Sequence, residues 1–212
     1  MPTSNEILEG LQAITNRHEI FAIGWHAVFY VVLFLLAIVN RKPSNRLLLS
    51  LLSLPLFSVA GFAWSAGNPF NGILFTVIAV FVLVSGIRTN NEKIVVSEMM
   101  FTVSGIIMVA FGMVYPHFLE TDNIIKYLYA SHVGLIPCPT LSVVIGFILV
   151  YRGLGSKYVM MMLVVFGLFY GLFGVFKLGV YVDAVLIFGA VMLGVLLKRF
   201  LPQSAQRTQR KN

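Results

Sequence analysis

The segment Pro137-Cys138-Pro139-Thr140 places the one cysteine of the chain between two prolines inside a long apolar stretch. Proline has no N–H, and its ring abuts the carbonyl four residues back, so each proline deprives a helix of a hydrogen bond. Ile136 and Cys138, which precede the prolines, are pushed toward extended geometry. The expectation is a helix broken at this level, with free backbone groups and the Cys138 thiol open to a ligand or ion. The competing reading is a simple kink with the cysteine packed as a small hydrophobe. Other polar side chains fall in or at the ends of neighbouring apolar stretches: His26, Trp64, Tyr115, His132 and Asp183. Ionisable groups inside membrane spans are costly, and histidine and aspartate there form proton relays and ion paths. That argument singles out His26 and Asp183, whereas His117 and His132 also fit the headgroup zone. Together His26, Trp64, Tyr115, His132, Pro137, Cys138, Pro139, Thr140 and Asp183 are expected to line one outward-facing polar pocket for a small solute or ion. The histidines, Cys138 and Asp183 include donors suited to zinc or copper, but no two histidines stand four apart as on one ligand-bearing helix face. No metal, no cofactor and no catalytic residue is assigned.

The surrounding sequence indicates lipid as the solvent. Hydrophobic residues make up 58% of the 212 positions and charged ones 11%, against roughly 45–50% and about 25% in soluble domains. Seven apolar runs follow one another: Ile20 to Val39, Leu47 to Ala66, Phe70 to Ile87, Ile94 to Tyr115, Ser131 to Tyr151, Tyr158 to Phe176 and Val180 to Leu197. Each approaches or exceeds the roughly 18 residues that span a bilayer core, and in lipid only a helix or closed barrel satisfies its own backbone. Of the 15 lysines and arginines, 12 follow the odd-numbered runs and three (Arg17, Lys126 and Lys177) lie on the other side. Such a bias sets orientation. The expected fold is an all-α integral membrane protein with seven transmembrane helices, N-terminus outside and C-terminus in the cytoplasm. The net charge of +7 is absorbed by this orientation, and no basic helix with interleaved aromatics points to nucleic acid.

Three regions follow. Residues 1–19 form an external amphipathic segment, with Thr3 and Glu6 at capping-box spacing and Ile7, Leu8, Leu11 and Ile14 on one face. Residues 20–200 form the transmembrane domain, whose His117–Ala130 loop is expected to cover the outer mouth. Residues 201–212 form a basic tail, disordered after Pro202 and drawn to anionic lipid. On the inner side, Glu98, little more than one turn from Lys93, is expected to snorkel or pair at the interface. Shifting the chain so that Arg41 falls on Arg152 also sets Arg46 on Lys157, Arg88 on Arg199 and Phe62 on Phe173. The first three spans then overlie the last three as a 3+1+3 parallel repeat, an architecture that resembles the small SWEET and PQ-loop carriers, although no Pro-Gln pair marks span one or five.

The motifs Tyr115-Pro116-His117-Phe118 and Gly134-Leu135-Ile136-Pro137-Cys138-Pro139-Thr140 resemble a family of bacterial multi-pass membrane proteins, known as a domain of unknown function and loosely as permeases. The resemblance covers spans four and five, and it implies an inner-membrane home without supplying a substrate. The sequence therefore reads as a small permease or solute-binding membrane protein, with the bilayer and a small solute or ion as partners and a homo-oligomer left open. Two rival classes are a membrane enzyme using Cys138 as nucleophile with a histidine base, and a non-catalytic subunit or sensor.

Overall fold

The computed structural model of the chain describes residues 3–39 and 42–209, and side chains as far as residue 200. It is helical, with no strand among the described residues. The helices are α1 (Ser4–Arg17), α2 (Glu19–Ala37), α3 (Asn45–Ser65), α4 (Pro69–Arg88), α5 (Met99–Val114), the single turn α6 (Tyr127–Ala130), α7 (Pro137–Val150), α8 (Lys157–Leu172) and α9 (Ala184–Gln209). Five helical stretches, Glu19–Ala37, Asn45–Ser65, Pro69–Arg88, Lys157–Leu178 and Tyr181–Phe200, are long and apolar enough to cross a membrane, while α5 and α7 are shorter apolar helices. Large apolar side chains stand exposed along all five, for example Val31 and Phe34 on α2, Leu51 and Leu54 on α3, Val77 on α4, Val165 on α8 and Val191 on α9. A surface of that kind is unsuited to water and matches acyl chains.

Helix α7 is the exception, and it organises the bundle. All of its residues from Pro137 to Leu149 are buried except Cys138, which is half-buried. It packs on α5, α9, α8 and α3. Its contact with α5 is backbone-close: a Cβ on Gly105 would lie 2.6 Å from the Gly146 carbonyl oxygen, and one on Gly146 would lie 2.7 Å from the Gly105 oxygen. Small residues in lipid permit such an approach, where dispersion and not water release holds helices together. The α3–α4 and α8–α9 pairs form two further tight hairpins. By contrast α2, which is α7's counterpart in the alignment of the first three runs with the last three, turns most of its side chains outward.

Three elements differ from the expectations. The fifth run is helical only from Pro137, not from Ser131. Its prolines occupy the first and third helical positions, where a missing N–H costs nothing because those donors have no intrahelical acceptor. The prolines therefore start the helix and do not break it. At about 1.5 Å per residue α7 is near 21 Å long, short of a roughly 30 Å core, and the irregular residues 131–136 before it are all buried. Irregular backbone at such depth is stable when protein encloses it.

The fourth run begins as an extended strap over residues 90–98, not as helix. Asn45 N–H donates to the Glu92 carbonyl at 2.8 Å and Ile94 N–H to that of Pro43 at 3.0 Å. Ser97 then closes the C-terminal end of α7, its N–H donating to Val150 O at 2.8 Å and its hydroxyl to Leu149 O at 2.5 Å. Glu98 pairs with Arg199 at 2.5 Å. We expect Ser97→Ala to lower stability by about 1–2 kcal/mol, because the Ser97 hydroxyl donates to Leu149 O of α7 and accepts from Arg152 N–H in the turn that follows; thermal unfolding in detergent checks this. Finally, α9 continues as helix to Gln209 where disorder from Gln203 was expected. Extending a formed helix needs no new nucleus, and the segment is rich in Gln, Ala and Arg, which favour helix. Residues 210–212 of the tail lie outside the described residues.

Candidate functional site

At the end of the bundle opposite the strap, α5, α7 and α9 bring three of the sequence-selected side chains into direct contact. Tyr115 caps the C-terminus of α5. Cys138 is the second residue of α7. Asp183 closes a single 3-10 turn, Tyr181–Asp183, that leads into α9. The Tyr115 hydroxyl donates to Asp183 Oδ1 at 2.7 Å, and the Cys138 thiol donates to Asp183 Oδ2 at 3.2 Å. Asp183 is 1% exposed and is the one buried acid among the described residues. A carboxylate enclosed this way is tolerable only with its oxygens satisfied, and here one donor from each of two other helices satisfies them.

The wall behind Asp183 is Gly174. A π turn over Phe173–Leu178 follows α8, and Val180 N–H donates to Gly174 O at 2.9 Å. A Cβ at Gly174 would collide with Asp183 Oδ2. The sequence shows Gly174 as one of a series with Gly167 and Gly171 for helix packing, and that packing is observed, but its contact with the carboxylate was not legible.

Pro137, Pro139 and Thr140 set up this geometry. Thr140 Oγ1 donates to Ile136 O and accepts from Gly134 N–H, both at 2.8 Å, locking the chain reversal before α7. Gly134 has φ +79° and leaves no room for a Cβ beside the Trp25 ring. His132 lies in this reversal, its ring edge-on to Tyr115 at 6.3 Å between centroids. His132 Nε2 is hydrogen-bonded to His117 O, while His132 Nδ1 and the neighbouring Ser131 hydroxyl are buried with no partner among the described residues. His117, outside the helices, has its imidazole pKa lowered by desolvation.

His26 and Trp64 do not join the cluster directly. His26 is buried on α2 with Nδ1 at 2.8 Å from Ala22 O and Nε2 at 2.8 Å from Met113 O. A neutral imidazole has one N–H, so it can donate to only one of these two carbonyls at a time. Trp64 is half-exposed; its indole packs over Gly72 and donates to Thr76 Oγ1 at 3.3 Å. A Cys138–histidine pair, which the enzyme alternative needs, is not formed, since the thiol faces Asp183.

No protein family, curated protein or solved structure matches this chain. The chemistry is therefore argued from geometry. Among the described residues no group of three or more His, Cys, Asp or Glu side chains is placed to hold a metal ion.

The cluster is covered from the side of the loop that follows α5. Phe118, with φ +69°, stacks on Tyr115 and meets His132 edge-on. A left-handed conformation costs a residue with a Cβ roughly 1–2 kcal/mol, and α1 supplies the contacts that hold it. The Asn16 amide donates to Phe118 O at 3.2 Å and its oxygen accepts from Glu120 N–H at 3.2 Å; Gln12 donates to Glu120 Oε1 at 2.6 Å. Beneath, Ile14 packs with Leu135, Ile136 and Phe118. The capping box expected at Thr3 and Glu6 starts α1, and the Ser4 hydroxyl reaches Lys177 O at 2.8 Å. Asn16→Ala should loosen this cover. Removing its two hydrogen bonds to Phe118 and Glu120, about 1 kcal/mol each, is expected to raise the rate of Cys138 alkylation by N-ethylmaleimide at least about tenfold, while Thr76→Ala, on another face, leaves it unchanged.

Proposed function

We propose that this protein is a small permease of a bacterial inner membrane, crossing it seven times with the N-terminus outside, and that Asp183 carries the proton that drives or accompanies a small solute. The observation behind this reading is the single buried carboxylate held by a hydroxyl and a thiol from two other helices. Buried acids inside spans are the usual parts of proton pathways. Both neighbours of Asp183 donate hydrogen to it, which suits a group that exchanges protons and not a cation cage, where oxygen acceptors would have to converge. His26 adds a second polar side chain buried in the same bundle, with a backbone carbonyl at 2.8 Å from each ring nitrogen.

Seven crossings are supported by the seven apolar helical stretches and by the charge bias between their ends; the motifs around Tyr115 and Pro137 support membership in the permease-like bacterial family. Of the proposed duplication, the α3–α4 and α8–α9 hairpins are the better-matched part, while α2 and α7 occupy unlike positions. Transport by rocking one triplet against the other would have to part α7 from α5 along their glycine contact. The cover formed by α1 and residues 116–130 is the cheaper moving element, because polar contacts at a surface hold it. The test uses proteoliposomes containing the full chain and a trapped pH dye, challenged with a panel of amino acids, sugars and small organic acids. Solute-dependent proton flux is expected for at least one class. Absence of any such flux, or flux that persists in Asp183→Asn, rejects the reading.

A further inference from the structure

The end of the bundle that carries the strap holds a second feature that the Asp183 cluster does not explain. A cavity of about 200 Å³ opens there between α3, α4, the strap and the turn after α7. Among its lining residues are Asn45, Thr89, Lys93, Tyr151 and Arg152. It is a built site. The strap is tied to the segment preceding α3 by the Asn45–Glu92 and Ile94–Pro43 backbone hydrogen bonds, and Arg152 N–H donates to Ser97 Oγ at 2.8 Å.

The turn that forms one wall is strained. Arg152, Gly153, Leu154 and Gly155 have φ of +49°, +73°, +47° and +74° in succession. Two of these residues carry a Cβ, and side-chain-bearing residues persist in that region only where their surroundings over-determine them, a pattern concentrated at ligand sites. Leu154, fully buried, anchors the turn. The turn delivers Arg152 to the cavity and brings Gly155 against Asn45, where a Cβ would come to 3.4 Å from the amide nitrogen.

Two observations indicate what the cavity takes. The Asn45 side chain, 9% exposed, lines the cavity and its amide has no hydrogen-bond partner among the described residues. That amide opens onto the cavity and has both N–H and carbonyl groups to offer a ligand. The second is charge: Lys93 lines the cavity and is in no ion pair among the described residues, and Arg152 places a second basic side chain in the lining beside the acid Glu92. The neighbouring acid Glu98 is already neutralised by Arg199. Val95 and Phe200 add an apolar edge.

We infer that this cavity binds a phosphate group, with Lys93 and Arg152 supplying charge and the Asn45 amide and Tyr151 hydroxyl supplying directed donors. The apolar edge favours the headgroup of an anionic phospholipid over free phosphate. Basic pockets between helices at the headgroup level are suited to such lipids. The inference does not depend on the proton-transport reading.

The test titrates the full-length protein in detergent with dihexanoyl-phosphatidylglycerol, with dihexanoyl-phosphatidylcholine and with inorganic phosphate, following the thermal midpoint. Saturable stabilisation by the phosphatidylglycerol is expected, weakened about tenfold in Lys93→Gln and also in Asn45→Ala. Lys157→Gln, a basic position of the same end outside the cavity, should match wild type. Because Lys93 is exposed, its substitution leaves the fold intact even if Asn45→Ala does not. Lys93-dependent stabilisation by inorganic phosphate alone keeps the phosphate site and changes its source. No saturable response, or a response lowered equally by Lys157→Gln, overturns the proposal.

Discussion

Asp183→Asn is expected to reduce solute-coupled proton flux at least about 100-fold while leaving the bundle folded. Asparagine has the same shape as aspartate. Its oxygen can still accept from the Tyr115 hydroxyl, and its amide can donate toward the Cys138 sulfur, so no buried polar group is orphaned. The thermal midpoint should stay within about 4 °C of wild type, the shift that roughly 1 kcal/mol produces in a chain of this size. What the substitution removes is the exchangeable proton. Asp183→Ala is the informative contrast: it strands the Tyr115 hydroxyl and the thiol in a site 1% exposed, at a cost of about 2–3 kcal/mol. Loss of flux in both variants with loss of stability only in alanine separates proton handling from architecture. Flux surviving in Asp183→Asn would remove Asp183 from the mechanism and leave the cluster as a structural tie between α5, α7 and α9.

How far the sequence carried this result depended on the kind of signal. Helix positions were readable from uninterrupted apolar runs, because in lipid there is no alternative that pairs the backbone. The identity of Asp183 and Cys138 as site residues was readable from cost: an acid and a proline-flanked thiol do not sit inside such runs without a partner. Their mutual contact was not readable, since it depends on how α7 and α9 pack and no spacing rule links residues on different helices. The role of the prolines was misjudged for a local reason, as the same ring that breaks a helix interior is well suited to its first turn. The apolar composition of residues 94–98 fits either helix or strand, and the pairing of Glu92 with Asn45 and of Ile94 with Pro43 selects the extended form. Trp64, selected for its level in the run, turned out to face Gly72 and Thr76. Aromatic residues at helix ends answer equally well to an interface as to a pocket.

Gly174→Ala should be the most damaging single-methyl addition near the site. The new Cβ would lie 2.7 Å from Asp183 Cγ and 2.8 Å from its Cβ, and closer still to Oδ2. The far end of a flexible chain could move aside, but Asp183 is short and is held on both oxygens. Either the π turn shifts or the carboxylate abandons Tyr115 and Cys138. Overpacking costs about 1–3 kcal/mol, and two lost hydrogen bonds add about 1 kcal/mol each, so a destabilisation of roughly 3–5 kcal/mol is expected. A second readout distinguishes this from ordinary misfit: expelling the carboxylate frees the thiol, so Cys138 alkylation should accelerate along with the fall in stability. Gly171→Ala provides the comparison. Its Cβ would meet Ile187 Cγ1 at 2.7 Å and Ile187 N at 3.0 Å, a clash between α8 and α9 that leaves the carboxylate's partners in place. That variant should lose stability without unmasking Cys138. If the two glycines behave alike, the π turn is only a packing surface, and the alignment of Asp183 with its two donors must come from α5 and α7 alone.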